Sequence, residues 1–161
     1  MILDLRTGVG FDVHAFAEGK KLILGGIEIE NEKGLAGHSD ADAVLHAITD
    51  ALLGSIALGD IGTHFPDDDP RYKNADSTIF LKKAHELLRN KGYYINNIDT
   101  VIMLQQPKIS PYTHKMRERI SKLLDIGADR ISIKATTTEK LGFVGREEGI
   151  SVMAVATVVR K

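Results

Sequence analysis

Apolar residues recur along this chain with two different periods, and each period predicts an element. Over residues 6–14 they alternate, with Phe11 and Val13 on one side of an extended chain and Asp12 and His14 on the other. That predicts a strand, in which Gly8 and Gly10 permit close approach of another backbone. Residues 21–24 and 27–30 are apolar and β-branched runs flanking Gly25-Gly26, a hairpin signature, and residues 31–37 read as a loop. From near Asp40 to Ile56 the period becomes that of a helix. Leu45, Ile48, Leu52, Leu53 and Ile56 form an inward stripe, and beside it Asp42, His46 and Asp50 share a polar face at a spacing of four.

Beyond this helix the pattern alternates helix with strand. Glycines, prolines and acidic residues mark 59–70 as loop, because Pro66 and Pro70 oppose a helix there. Residues 76–91 place Ile79, Phe80, Ala84, Leu87 and Leu88 on one face, predicting a second helix that serves as scaffold and ends at Gly92. Residues 98–105 predict a buried strand. Ser110 as N-cap and Pro111 in the first turn predict a third helix, with Met116, Ile120, Leu123 and Leu124 inward. Residues 130–136 predict a strand and 136–149 a glycine-hinged loop. Residues 150–159 are almost continuously apolar, as expected of a central strand buried on both faces. With no repeat or linker, this order predicts one domain over residues 1–161, of α+β class, in which a mixed β-sheet packs against helices in two layers.

Composition narrows the chemistry. The chain has 161 residues, with 21 Lys and Arg against 22 Asp and Glu. A formal net charge of −1 gives no global field to draw nucleic acid or an acidic membrane. Any anionic ligand must be held by local charges and backbone amides. The absence of cysteine excludes disulfides, thiolate metal sites and cysteine nucleophiles. No apolar run approaches the roughly 20 residues of a membrane span. Residues 1–6, which include Asp4, lack the apolar region of a signal peptide. A soluble, cytoplasmic protein is expected.

If the polar edge of the first helix packs on the first strand, Asp12, His14 and His46 meet. One carboxylate and two imidazoles with a fourth position open make up a catalytic zinc site. Spacing alone leaves a second reading open, a solvated Asp-x-His pair and a histidine used in packing. Asp42 or Asp50, one turn either side of His46, is placed to orient its imidazole. His38 and Ser39 precede the helix, where free amides favour a phosphate, although Ser39 fits a simple cap equally well. The acidic loop at 59–70 suits sugar-like hydroxyls or a metal, or else is merely solvated. It lacks the spacing of an EF-hand. In 136–149 the hydroxyls of Thr136, Thr137 and Thr138, with Lys140 and Arg146, suit a phosphate cradle, and Glu139 a divalent ion. A polar connector is the alternative.

Taken in order, these segments resemble one family, the 2-C-methyl-D-erythritol 2,4-cyclodiphosphate synthases of the non-mevalonate (MEP) isoprenoid pathway. The matching text is Gly10-Phe11-Asp12-Val13-His14, His38-Ser39-Asp40, Leu45-His46-Ala47-Ile48-Thr49-Asp50-Ala51-Leu52-Leu53-Gly54, Gly59-Asp60-Ile61-Gly62 with Phe65-Pro66-Asp67, Pro107-Lys108, and Lys134-Ala135-Thr136-Thr137-Thr138-Glu139-Lys140-Leu141-Gly142-Phe143. The resemblance implies a phosphorus–oxygen lyase that cyclises 4-diphosphocytidyl-2-C-methyl-D-erythritol 2-phosphate and releases CMP. It implies zinc or another divalent transition metal at Asp12, His14 and His46, and magnesium or manganese at Glu139. His38 and Thr137 match transition-state stabilisers, with Ser39 also at the diphosphate. Asp60, Gly62 and the loop of Phe65, Pro66, Asp67, Asp68 and Asp69 match the methylerythritol pocket. Leu104, Pro107, Lys108, Ile109 and Ser110, with Ala135 and Thr136, match the cytidine pocket. Thr138, Phe143 and Arg146 match further substrate contacts.

The resemblance also implies a homotrimer whose active sites are shared between chains, and in some members an isoprenoid diphosphate on the three-fold axis. Two positions depart from the family pattern. Ala41 replaces a usual glycine, which should tighten the helix start, and Asp68 replaces threonine, which adds a charge to the substrate loop. Two further readings compete with the cyclase: a zinc phosphohydrolase releasing inorganic phosphate, and a non-catalytic trimeric module with a structural zinc.

Overall fold

The computed structural model describes residues 3–66 and 68–160. Its centre is a mixed five-stranded sheet of β1 (Asp4–Glu18), β4 (Lys33–Leu35), β5 (Tyr93–Met103), β6 (Ile131–Thr136) and β7 (Gly149–Arg160), in the order β4-β1-β7-β5-β6. Only β5 and β6 run parallel; every other neighbouring pair in this sheet is antiparallel. The hairpin of β2 (Leu22–Leu24) and β3 (Ile27–Ile29) stands apart from it, joined through Gly25 and Gly26 as the sequence predicts. One face of the sheet is covered by α1 (Ala43–Ser55), α3 (Thr78–Asn90) and α4 (Thr113–Leu124). The α+β assignment therefore holds.

Helix α1 lies directly on β1, and the two glycines of β1 are the reason. A Cβ on Gly10 would sit 1.8 Å from the Ala47 carbonyl oxygen, and one on Gly8 2.0 Å from that of Ala51. No side chain fits between these backbones. The predicted inward stripe of α1 is fully buried, Leu45, Ile48, Leu52, Leu53 and Ile56 alike. Ile98, Ile102, Val152, Ala154 and Ala156 of the sheet complete the core beneath it.

Several boundaries differ from expectation for identifiable reasons. Helix α1 starts at Ala43, because the Asp42 carboxylate, rather than that of Asp40, accepts from the amides of Val44 and Leu45. Ala41 lies outside the helix, buried at φ 57°, a left-handed conformation that glycine adopts more readily. Residues 59–70 contain a single helical turn, α2 (Ile61–His64), which fits before Pro66. Ser110 caps nothing: Ser110–Tyr112 forms a 3-10 turn and α4 begins after it. A second short turn, α5 (Gly142–Gly145), interrupts the 136–149 loop. β1 and β5 extend beyond their predicted ends, and β4 occupies part of the predicted 31–37 loop.

β7 is central, as its composition suggested, but only one of its faces is buried. Val152, Ala154, Ala156 and Val158 point into the core, whereas Met153 is 41% exposed on the other side. Next to Met153 on that outer face lies Phe11, 55% exposed, with Val9 and Val13 on the same side of β1.

Candidate metal centre and substrate pockets

β1 alternates its side chains, so Asp12 and His14 emerge on the face that α1 covers. His46 leaves α1 towards them. The Asp12 Oδ2 atom lies 2.9 Å from His14 Nε2 and 3.1 Å from His46 Nδ1, and the two ring nitrogens are 3.3 Å apart. Four ligands at about 2.05 Å from a tetrahedral ion are spaced roughly 3.3 Å from one another, so the three atoms match one face of such a polyhedron. They form the one cluster of three or more potential ligands among the described residues.

Electrostatics at the triad favour positive charge. Burial pushes the Asp12 carboxyl up, but hydrogen bonds to His14 and His46 outweigh it and hold the group below its usual range. Burial pushes His14 down, while the Asp12 hydrogen bond and charge and the Ala36 carbonyl carry it above its usual value. The Nδ1 atom of His14 is 2.6 Å from the Ala36 carbonyl oxygen, which can only accept. Nδ1 therefore keeps its proton, and Nε2 is the nitrogen that can exchange its own for a metal ion.

The triad opens into a pocket of about 230 Å³, walled by His38, Ser39, Ile61, Phe65, Tyr72 and Phe80. Phe65, Tyr72 and Phe80 pack as an aromatic cluster, with Phe65 and Phe80 centroids 4.7 Å apart. The Nε2 atom of His38 is buried against this pocket without a hydrogen-bond partner among the described residues. Asp60 caps α2, taking the amide of Thr63 at 2.9 Å and its hydroxyl at 2.8 Å. Asp69 is engaged by Arg71, Pro66 and Asp68 are exposed, and Gly62 lies in α2. Asp67 falls outside the described residues.

A second pocket gathers Leu104, Pro107, Lys108, Ile109, Ser110, Ala135, Thr136 and Thr137 at the ends of β5 and β6. Nearby, the Glu139 carboxylate accepts from the Thr137 hydroxyl at 3.3 Å, with Glu139 and Lys140 both at positive φ. Thr138 donates to the Leu141 carbonyl, and Arg146 pairs with Glu148, while Phe143 is partly exposed. The two pockets share no residue. Across the sheet Asp12 aligns with Val152, Val152 with Ile102, and Ile102 with Ala135. Three strand spacings, roughly 14 Å, thus separate the two sites within one chain.

A family model described as the YgbB family matches residues 5–159. The chain belongs to that family. Relatives named 2-C-methyl-D-erythritol 2,4-cyclodiphosphate synthase in Bacillus mycoides (strain KBAB4) and Bacillus anthracis (strain A0248) are each 58% identical over 156 residues, covering 97% of this chain and 99% of theirs. Among solved structures, the bifunctional IspDF from Campylobacter jejuni superimposes with a TM-score of 0.96 at 44% identity, over 99% of this chain and 43% of that longer one. The Plasmodium falciparum IspF CDP complex matches with a TM-score of 0.86 at 38% identity, over 98% of this chain and 97% of that one. The resemblance drawn from the sequence is thereby established.

Three expectations for this YgbB-family site need correction. The carboxylate of neither Asp42 nor Asp50 hydrogen-bonds the His46 imidazole. Asp42 is fully buried and accepts from the amides of Gly25 at 2.9 Å and Gly26 at 2.6 Å, and Asp50 accepts from that of Ile61 at 2.7 Å. Nor do His38 and Ser39 sit at the helix N-terminus, whose first amides Asp42 already occupies. Helix α3 is more than scaffold, since Phe80 walls the pocket and Ser77 reaches His46. Sequence reading missed both because Ser77 looks like an ordinary cap and Phe80 falls on the inward stripe. The short Ile61–His64 turn and Tyr72 were hidden in a segment that reads as loop.

Proposed function

We propose that the chain converts 4-diphosphocytidyl-2-C-methyl-D-erythritol 2-phosphate to 2-C-methyl-D-erythritol 2,4-cyclodiphosphate and CMP. The observation that carries this reading is the convergence of Asp12, His14 and His46 in a chain 58% identical, over nearly its full length, to relatives bearing that enzyme name. In the reaction an oxygen of the 2-phosphate bonds to the β-phosphorus. The bond from that phosphorus to the oxygen bridging to the α-phosphorus breaks, and CMP departs with the electron pair. The nucleophile is already anionic, so no strong base is required. The obstacle is repulsion between two phosphates, and positioned positive charge and donors are what lower it.

The donor set fits zinc, which when bound would supply a Lewis acid to the β-phosphate. Asp12, His14 and His46 are the residues that would hold it. His38, whose Nε2 is buried and unpaired, donates to the diphosphate, and Ser39 lines the same wall. Asp60, Gly62 and the 65–69 loop surround the methylerythritol hydroxyls, with Phe65 against the carbon skeleton. Leu104 to Ser110, with Ala135 and Thr136, form the cytidine pocket. Thr137 donates to the diphosphate from that side, Glu139 would hold magnesium or manganese, which would supply charge neutralisation to the phosphates, and Thr138, Phe143 and Arg146 complete the enclosure. Because attack is intramolecular, folding the substrate between these walls supplies much of the rate.

His38 and Thr137 must act on one diphosphate, yet their pockets lie roughly 14 Å apart across the sheet of a single chain. A homotrimer that sets the metal side of one chain against the cytidine side of the next removes the conflict. The exposed apolar row of Val9, Phe11, Val13 and Met153 on the uncovered sheet face supports such an assembly. The test is His46→Ala. It should lose bound zinc and cyclodiphosphate formation while unfolding as cooperatively as the parent chain; full turnover by the zinc-free variant would refute the proposal.

A further inference from the structure

Ser77 occupies the N-cap position of α3 and is fully buried, yet its hydroxyl makes no bond to the helix. It is spent elsewhere. Ser77 Oγ donates to Asp40 Oδ1 and lies 2.8 Å from His46 Nε2. Asp40 is itself fixed: Oδ2 accepts from the Ser77 amide at 3.1 Å, Oδ1 from that of Asp42 at 3.2 Å, and its own amide donates to the Ala75 carbonyl at 3.0 Å. Asp40 and Ser77 are 37 residues apart, so this link ties the approach to α1 to the start of α3.

Counting protons fixes the direction of the chain of bonds. An ionised carboxylate only accepts, and a serine hydroxyl carries one hydrogen. Ser77 gives that hydrogen to Asp40, so the lone pair of its oxygen faces His46 Nε2, which must carry the ring proton. Ser39 Oγ, 3.2 Å from the same nitrogen and already accepting from the Ala41 amide, offers a second acceptor. The Nδ1 lone pair then faces the cluster, 3.1 Å from Asp12 Oδ2 and 3.3 Å from His14 Nε2, an arrangement that a cation between these atoms relieves. Without a metal the Asp12 carboxylate also attracts a proton to Nδ1. With a metal at Nδ1 that competition ends, and a proton anywhere but Nε2 would set two lone pairs against each other across the 2.8 Å gap to Ser77.

We propose that Asp40, acting through the Ser77 hydroxyl, is a positioning residue that locks His46 as its Nε2–H tautomer and thereby presents Nδ1 to a metal ion. The proposal rests on reading Asp12, His14 and His46 as a metal centre. It makes Asp40 and Ser77 the counterpart, for His46, of what the Ala36 carbonyl does for His14.

The experiment is nitrogen NMR of protein labelled at histidine, with and without zinc, combined with competitive zinc titration. In the zinc-loaded parent chain His46 should show a protonated Nε2 and an unprotonated, metal-shifted Nδ1. Ser77→Ala and Asp40→Asn should mix the tautomers and weaken zinc binding by about 10- to 100-fold. Ser77→Thr, which keeps the hydroxyl, should restore both. A zinc-loaded parent chain with the proton of His46 on Nδ1 overturns the proposal without recourse to any variant. So does an unchanged tautomer and zinc affinity in Ser77→Ala, or a Ser77→Thr protein as impaired as Ser77→Ala. A parent chain that binds no zinc, or binds it equally well as His46→Ala, defeats the metal reading itself, which is a separable result.

Discussion

His14 and His46 each turn to the cluster the ring nitrogen that is free to bind a metal, because a protein acceptor claims the other one. Three acceptor atoms turned towards one point repel unless a proton or a cation lies between them. In the metal-free protein His14 answers with a proton, since its affinity for one is raised by Asp12. A His whose folded value exceeds its unfolded one stabilises the metal-free fold below about pH 6.5 and loses that contribution as pH rises through the folded value. Zinc must displace the same proton, so its binding strengthens in the opposite direction. Zinc should therefore raise the melting temperature more at pH 8 than at pH 6, as differential scanning fluorimetry would read. An equal gain at both would mean that zinc binds elsewhere.

Asp42 shows how an element is held in place by one carboxylate. It caps α1 and also grips both amides of the Gly25-Gly26 turn, so the hairpin and the helix meet on a single buried side chain. Burial pushes its carboxyl up to about 6, against the pull of the Leu45, Gly26 and Gly25 amides. Asp42→Ala should cost about 3 kcal/mol in urea unfolding, combining a lost cap with abandoned amide bonds. Folded protein should still bind zinc, because the Asp42 carboxylate makes no bond to the His46 imidazole; loss of zinc from folded Asp42→Ala would show a link that the geometry lacks. The distinction between Asp40 and Asp42 was not legible in the sequence, where both look like caps. The contact of β1 with α1 was legible, because Gly8 and Gly10 clear one face of an alternating strand and His46 has a fixed phase on a long helix. β4, α2 and α5 were not, since elements of three or four residues are too short to show a period. Ser77 was hidden for a different reason: its partners are 31 and 37 residues away, and only tertiary packing selects them over a cap.

If one substrate spans both pockets, as proposed, a chain that keeps them on opposite parts of one sheet completes the site only with a neighbour. That division makes a mixing experiment decisive. His46→Ala removes the metal side and Glu139→Gln the second ion's ligand, so neither alone should form product efficiently. Mixed and reassembled chains should regain a fraction of activity, because some sites then draw both intact halves. No recovery from verified hetero-oligomers would place each site within one chain. Phe11→Asp, on the uncovered sheet face, should shift the protein to monomers by sedimentation velocity and lower turnover with it. The apolar sequence of β7 had suggested burial on both faces, and the assembled trimer would make that so. The most direct measurement of all is a phosphorus NMR spectrum of the incubated substrate, recorded with zinc-depleted protein and again after zinc and magnesium are restored. Cyclic diphosphate and CMP should appear only on restoration, in equal amounts and without inorganic phosphate. Release of inorganic phosphate, or equal conversion by the zinc-depleted chain, would contradict a metal-assisted cyclisation at Asp12, His14 and His46.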